Sequence, residues 1–206
     1  MCGERFIGGL TENREPRRLL DNVWGAGPTG SGAVKTCLEA GQWNFALRTV
    51  QIDYNSSIQP TFGYRRVFDK PSDWCLTSGI CSDEFFRVPL LRYVDETNQW
   101  YSDLDTIYVR YISNDVHYGG NLAAWPGSFA EFVAEFMASK IIRRLTNSED
   151  EESKSFARLK KKLTHAKSVA AMAGPTAFPA RGAWGLARNR GGGRIRDGGS
   201  NGSLIG

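Results

Sequence analysis

The sequence predicts an α+β protein, mainly α: an antiparallel helical bundle with a small antiparallel β insertion and an extended C-terminal arm. Three observations predict it. Segments with helical period bracket the chain, at residues 15–40 and 126–173. Between them, within about 46–112, the period shortens and β-branched and aromatic residues take over. The last 26 residues hold nine glycines and five arginines, too little apolar matter for a core. The 206 residues therefore divide into 1–174, a bundle with its β insertion, and 175–206, a flexible basic arm.

Taken in order, residues 15–24 read as a helix. Pro16 suits a first turn, Leu19, Leu20, Val23 and Trp24 share a face, and Gly25 stops it. Residues 25–32 are a glycine-rich loop. A second helix over 33–40 places Val34, Cys37 and Leu38 together and ends at Gly41. Strands are expected at 46–52, 75–81, 88–94, 99–102 and 107–112. Asp95-Glu96-Thr97-Asn98 is a hairpin turn between the third and fourth of those neighbours. Residues 56–74, with Pro60 and Pro71, read as loop.

Two long helices follow. The first opens at Pro126, or at a capping box of Ser128 and Glu131, and carries an apolar stripe at 129, 132, 133, 136, 137, 141 and 145. The second opens with Ser148 and Glu151, places acids 149–152 on the positive end of the helix dipole, and ends at Gly174-Pro175. Phe156, Leu159, Leu163, Ala166 and Val169 make its stripe. The connection is short, so the pair should pack antiparallel.

Charge is unevenly placed. The formal net charge of +4 arises entirely from Arg181 onward, and the residues before it balance. The most apolar stretch, 126–145, carries Glu131, Glu135 and Lys140, which excludes a membrane span there. The first residues show no basic region followed by an apolar one, so no secretory signal is expected. Cys2, Cys37, Cys75 and Cys81 read as reduced, partly buried thiols in a cytoplasmic setting, with a Cys75–Cys81 disulfide sterically possible but unsupported.

The chemistry-bearing patterns are sparse, and no catalytic residue, cofactor or metal is expected. No C-x-x-C pair exists, and His117 and His165 are far apart, which argues against zinc. The loop from Gly27 to Gly32 puts Lys35-Thr36 two residues too late for a phosphate-binding loop. His117 lies near Asp115 and Tyr118 without a nucleophile beside it. Asp103 and Asp105, two apart, are the candidate carboxylate pair for a hydrolase, but nothing marks them as acid and base. Lys160 to Lys162, with Arg158 and Lys154, read as a solvated helix face in preference to a nucleic-acid surface.

The arm offers more. Pro179, Trp184 and Leu186 set apolar anchors among Arg181, Arg188, Arg190, Arg194 and Arg196. Aromatic anchors beside arginines suit docking on a protein surface. Arginines spaced by glycines also fit a segment that coats nucleic acid, and that alternative stays open.

Five strings taken together carry a resemblance. They are Leu10-Thr-Glu-Asn-Arg-Glu-Pro-Arg-Arg-Leu-Leu-Asp, Cys37-Leu-Glu-Ala-Gly-Gln-Trp-Asn-Phe-Ala, Phe68-Asp-Lys-Pro-Ser-Asp-Trp, Ile107-Tyr-Val-Arg-Tyr-Ile-Ser-Asn-Asp and Trp125-Pro-Gly-Ser-Phe. In order and spacing, over roughly residues 10–190, the chain resembles the head-to-tail adaptor (connector) proteins of tailed bacteriophages, the group that includes the tail tubular protein A type. The resemblance implies a structural, non-enzymatic virion protein at the head–tail junction, assembled in the host cytoplasm. It implies a dodecameric ring of copies under the portal protein, joined below to the next tail component, with genomic DNA passing through the lumen without sequence-specific binding and with no membrane. It makes residues 15–41 and 126–173 the bundle. It makes Pro179, Arg181, Trp184, Leu186, Arg188, Arg190, Arg194 and Arg196 the portal-binding arm, and Asp95, Glu96, Thr97 and Asn98 the tail-facing tip.

Overall fold

A computed structural model describes residues 15–25, 32–61 and 63–174. Four α helices are present among them: α1 (Glu15–Trp24), α2 (Ala33–Glu39), α3 (Gly127–Thr146) and α4 (Glu149–Ala173). Six strands lie between α2 and α3: β1 (Leu47–Asp53), β2 (Arg66–Asp69), β3 (Trp74–Cys81), β4 (Val94–Asp95), β5 (Gln99–Ser102) and β6 (Thr106–Ser113). They form two antiparallel three-stranded sheets, ordered β1-β6-β3 and β2-β5-β4.

This corrects the predicted fold class. The described residues form a mixed α/β fold, not a helical bundle with a small β insertion. The strands build a hydrophobic core of their own, in which Phe68, Ile80, Trp100, Ile107, Val109 and Tyr111 are buried between the two sheets. The error has a local origin. β2 falls inside 56–74, where two prolines suggested loop, and its four residues are too few for alternation to show. Its partner β5 lies more than thirty residues on, through Phe68↔Trp100 and Val67↔Tyr101. Without β2 there is no second sheet, and the remaining strands look like a minor insertion. The expected strand 88–94 is also reduced, to Val94–Asp95. Pro89 has no N–H to give, and the Leu90 amide donates to the Ile80 carbonyl (2.9 Å) to close a loop.

Alternation assigns the strand faces. In the second sheet Phe68 and Trp100 point to the first sheet, while the row Val67, Tyr101 and Val94 points the other way. In the first sheet Ile107, Val109 and Tyr111 face the second, while Ile112 turns to the helices. There it meets Cys37, Leu38, Trp43, Phe129, Phe132 and Val133.

The helices sit largely where the sequence puts them. Pro126 is the N-cap of α3, without a capping bond from Ser128. Asn147 takes the left-handed conformation (φ 50°) that turns the chain into α4, and the Ser148 side chain accepts the Glu151 amide (3.4 Å). The α3 stripe is buried at Phe129, Phe132, Val133 and Ile141. In α4 the stripe holds at Leu159, Leu163 and Ala166, but Phe156 is half exposed and Ser155 is the buried neighbour.

Trp43 joins helices to sheets. Its indole N–H donates to the Cys37 and Leu38 carbonyls (3.1 Å each), satisfying the open end of α2. Its ring packs edge-on against Phe129 at 4.8 Å. Next to it, Asn44 Nδ2 donates to the Ala170 carbonyl in the last turns of α4 (2.8 Å). Cys37, Cys75 and Cys81 are free and buried, and Cys2 lies outside the described residues. Cys75 and Cys81 lie near opposite ends of β3, roughly 20 Å apart at the strand repeat, so no disulfide joins them. Burial pushes the thiol of Cys37 up to about 12 and that of Cys75 up to about 11.

A second joint is Asp73, just before β3. Its carboxylate accepts from Arg48 Nη1 (2.9 Å), the Tyr111 hydroxyl (3.1 Å) and the Ser113 hydroxyl, which ties the start of β3 to β1 and β6. Burial pushes its pKa up, but the bonds from Ser113, Arg48 and Tyr111 outweigh that and hold it below the ordinary value. A depressed folded-state pKa gives stability that is full above the unfolded-state carboxylate value and lost as pH falls through the folded one. Asp73→Asn is expected to cost about 2 kcal/mol at neutral pH. It should also flatten the acid limb of the stability curve, measured by urea unfolding across the carboxylate range.

Candidate functional site

Lys70 organises the tip. It follows β2 directly, in the string Phe68-Asp-Lys-Pro-Ser-Asp-Trp, and its side chain is only 4% exposed. The ammonium donates to Asp95 Oδ1 (2.5 Å) and to the carbonyls of Glu96 (2.6 Å) and Thr97 (3.4 Å). It also lies over the ring of Trp74, 3.8 Å from the centroid, and 5.3 Å from that of Trp100. A cation removed from water needs this full set of partners, because desolvation costs several kcal/mol. The other Asp95 oxygen accepts from Thr77 Oγ1 (3.0 Å) and Trp100 Nε1 (3.1 Å).

The hairpin turn is therefore wrapped around a buried charge. The Lys70 amide donates to the Asn98 carbonyl, and the Glu96 amide to the Gln99 carbonyl, both at 2.9 Å. Of the four tip residues, Asp95 directs its carboxylate inward to Lys70, Thr77 and Trp100. Glu96, Thr97 and Asn98 are exposed. The four are thus brought together, with three presenting side chains and one holding the turn. The flanking Asp69 carboxylate accepts from Asn55 Nδ2 (2.6 Å) and Gln99 Nε2 (2.9 Å).

The helical hairpin is the other large surface. Glu131 pairs with Lys162 (2.6 Å) and Glu135 with Arg158 (2.9 Å) across α3 and α4, and Lys154 pairs with Glu151 (2.8 Å) on α4 itself. Surface pairs of this kind contribute about 0–1 kcal/mol each, so they set register more than stability. Lys160 and Lys161 stay exposed on the outer side of α4, beside His165 and Ser168. The lysine cluster thus splits between cross-helix pairing and a solvated face.

Asp105 pairs with Arg66 (2.7 Å), and Asp103 accepts the Arg65 amide (3.1 Å), so both carboxylates tie the β5–β6 turn to the start of β2. The His117 amide donates to Asp115 Oδ1 (2.9 Å) in an exposed turn. No cluster of metal-ligating side chains occurs among the described residues. The arm residues Pro179, Arg181, Trp184, Leu186, Arg188, Arg190, Arg194 and Arg196 lie outside the described residues, as do residues 26–31 of the glycine loop.

No protein-family model matches the chain, and no curated protein matches it.

Neither Lys70 nor Asp73 stands out as a site residue in the sequence, although both lie in the string Phe68-Asp-Lys-Pro-Ser-Asp-Trp. The available signal is compositional: one lysine and two aspartates between Val67-Phe68 and Trp74. Lys70→Met is expected to cost about 2–4 kcal/mol, because Asp95 and the Glu96 and Thr97 carbonyls lose the cation that the turn is folded around. Amide hydrogen exchange should accelerate at Glu96 and Gln99 before it does in β6. Lys70→Arg should not rescue, since a planar fork does not fit a site built for a compact ammonium.

Proposed function

We propose that this chain is a structural virion component, a head-to-tail adaptor of the tailed-bacteriophage kind that forms a ring between the portal protein and the next tail component. The observation that carries the reading is where the resembling strings fall. Trp43 and Asn44 tie α2 and α4 to the sheets. The Asp69–Trp74 link joins the two sheets through Lys70 and Asp73. Trp125 donates its indole N–H to the Gly119 carbonyl (2.8 Å) and stacks edge-on to Phe129 at the start of α3. Three of the five strings thus fall at joints of this fold, and residues that set joints are those a shared scaffold would retain.

On this reading the long α3–α4 hairpin packs among neighbouring copies, and Glu96, Thr97 and Asn98 face the tail. The arm, 175–206, reaches the portal. Aromatic and arginine anchors on such a segment gain affinity by ordering on a partner, repeated around a ring. DNA would pass through the lumen, meeting no base-reading element.

Native mass spectrometry of the chain with the portal protein of the same genome tests it. A portal ring carrying a full complement of copies is expected. Removal of 175–206 should leave the unfolding midpoint of the remainder unchanged and abolish the association. A bare portal beside intact chain would overturn the reading.

The exposed Lys160 and Lys161 favour one second reading, nucleic-acid binding shared between α4 and the arginine arm. It requires DNA affinity that falls steeply with salt. Lack of affinity at low salt with the arm intact removes it.

A further inference from the structure

α4 carries its charge in two blocks. All its acids, Glu149 to Glu152, stand in the first turn. From Ser153 to Ala173 it holds six basic residues and no acidic one, so any charge on its outer side beyond that turn is positive. Two of the six are used across the hairpin, where Lys162 reaches Glu131 (2.6 Å) and Arg158 reaches Glu135 (2.9 Å). Those pairs sit on one flank and neutralise both α3 carboxylates nearest the face. Lys154 turns back to Glu151 (2.8 Å). Lys160 and Lys161 are exposed and form no ion pair among the described residues. Together with Ala157, Thr164, His165 and Ser168 they make one surface on the outer side of the helix, at the i, i+3, i+4 spacing. Lys167, also exposed, lies on the opposite flank, beside Gly41.

The chemistry of this face decides what it fits. Protein interfaces are anchored by aromatic residues, Met and Arg, and their cores are depleted in Lys, Ser and Ala. Here the centre is lysine, alanine and hydroxyl side chains, while the exposed Phe156 and Met172 stand on a flank and at the far end. Lysines and hydroxyls with no apolar anchor between them suit a phosphate backbone, which they hold without reading bases. The run from Lys154 to Ser168 is about 21 Å long at the helical rise. Duplex DNA presents a phosphate charge every ~1.7 Å along its axis, so several lie within reach of such a run.

We propose that the outer face of α4, centred on Lys160 and Lys161, is the surface by which this chain meets duplex DNA, through phosphates and without sequence preference. It acts without the arginine arm, which separates it from binding shared with the arm. The inference rests on the adaptor reading only for where the meeting occurs: in a ring, α4 is the wall turned to the lumen.

The test measures duplex affinity of the full chain as salt is raised, by fluorescence anisotropy on two duplexes of unrelated sequence. Lys160→Gln with Lys161→Gln is expected to flatten the slope of log affinity against log salt by about two, equally on both duplexes. Lys160→Arg with Lys161→Arg should keep the original slope. The same flattening is expected in a full chain whose Arg188, Arg190, Arg194 and Arg196 are already glutamine. Both lysines are exposed, and single Lys161→Gln, with a drop of about one, keeps the test decisive should the double variant misfold. Absence of duplex binding at low salt, an unchanged slope in the lysine variants, or a slope carried wholly by the arm overturns the inference. So does polyglutamate that displaces the duplex charge for charge, since the face would then select an acidic protein. Portal association is read on the same chains by native mass spectrometry. Portals decorated by wild-type chain, with the slope unmoved by the lysine changes, reject the DNA face and keep the adaptor reading. The predicted flattening in chains that never bind a portal does the reverse.

Discussion

The β half of the molecule depends on a lysine that has been taken out of water. Lys70 cannot be buried cheaply, and the fold surrounds it with a carboxylate, two carbonyls and two indole faces. Those partners come from both sheets and from the turn between β4 and β5. Satisfying one charge therefore fixes where the second sheet lies on the first and what shape its turn takes. Asp73, three residues later, does the same for the first sheet by gathering Arg48, Tyr111 and Ser113. Two charges of opposite sign in one short link thus hold the register of six strands.

The helical half is held differently. Its interior is aromatic, with Trp43, Phe129 and Phe132 in mutual contact. Ring contacts of this kind contribute about 0.5–1.5 kcal/mol each beyond burial and tolerate small shifts. Surface ion pairs then keep α3 and α4 in register.

Legibility in the sequence followed the range of the interactions. Helices were readable because stripe, cap and stop lie within a few residues. Ser148 and Pro126 both stand where local rules place a helix start. β6 was readable because Ile107-Tyr-Val-Arg-Tyr-Ile has few other uses. β2 was not, since only a partner thirty residues away makes Val67 and Phe68 a strand. The expected strand at 88–94 shrinks to Val94–Asp95 because Val88, Leu90 and Leu91 only resemble a strand, while the Asp83 carboxylate and Pro89 redirect their backbone. The tip was recognised as a turn, but its buried cation was not, because a lysine in sequence gives no sign of the two tryptophans that will cover it.

The bond from Asn44 to the Ala170 carbonyl carries a mechanical meaning. α4 is 25 residues long, and this amide grips it one turn from its end. Tension applied to the chain beyond Gly174 therefore enters the fold at that grip, ahead of the α3–α4 ion pairs. It passes to Trp43, and from there to the closed end of α2 and the aromatic interior. A pull along the arm is thus shared with the core rather than spent unzipping an exposed helix, so that the last turn of α4 is not the weak point of the described fold.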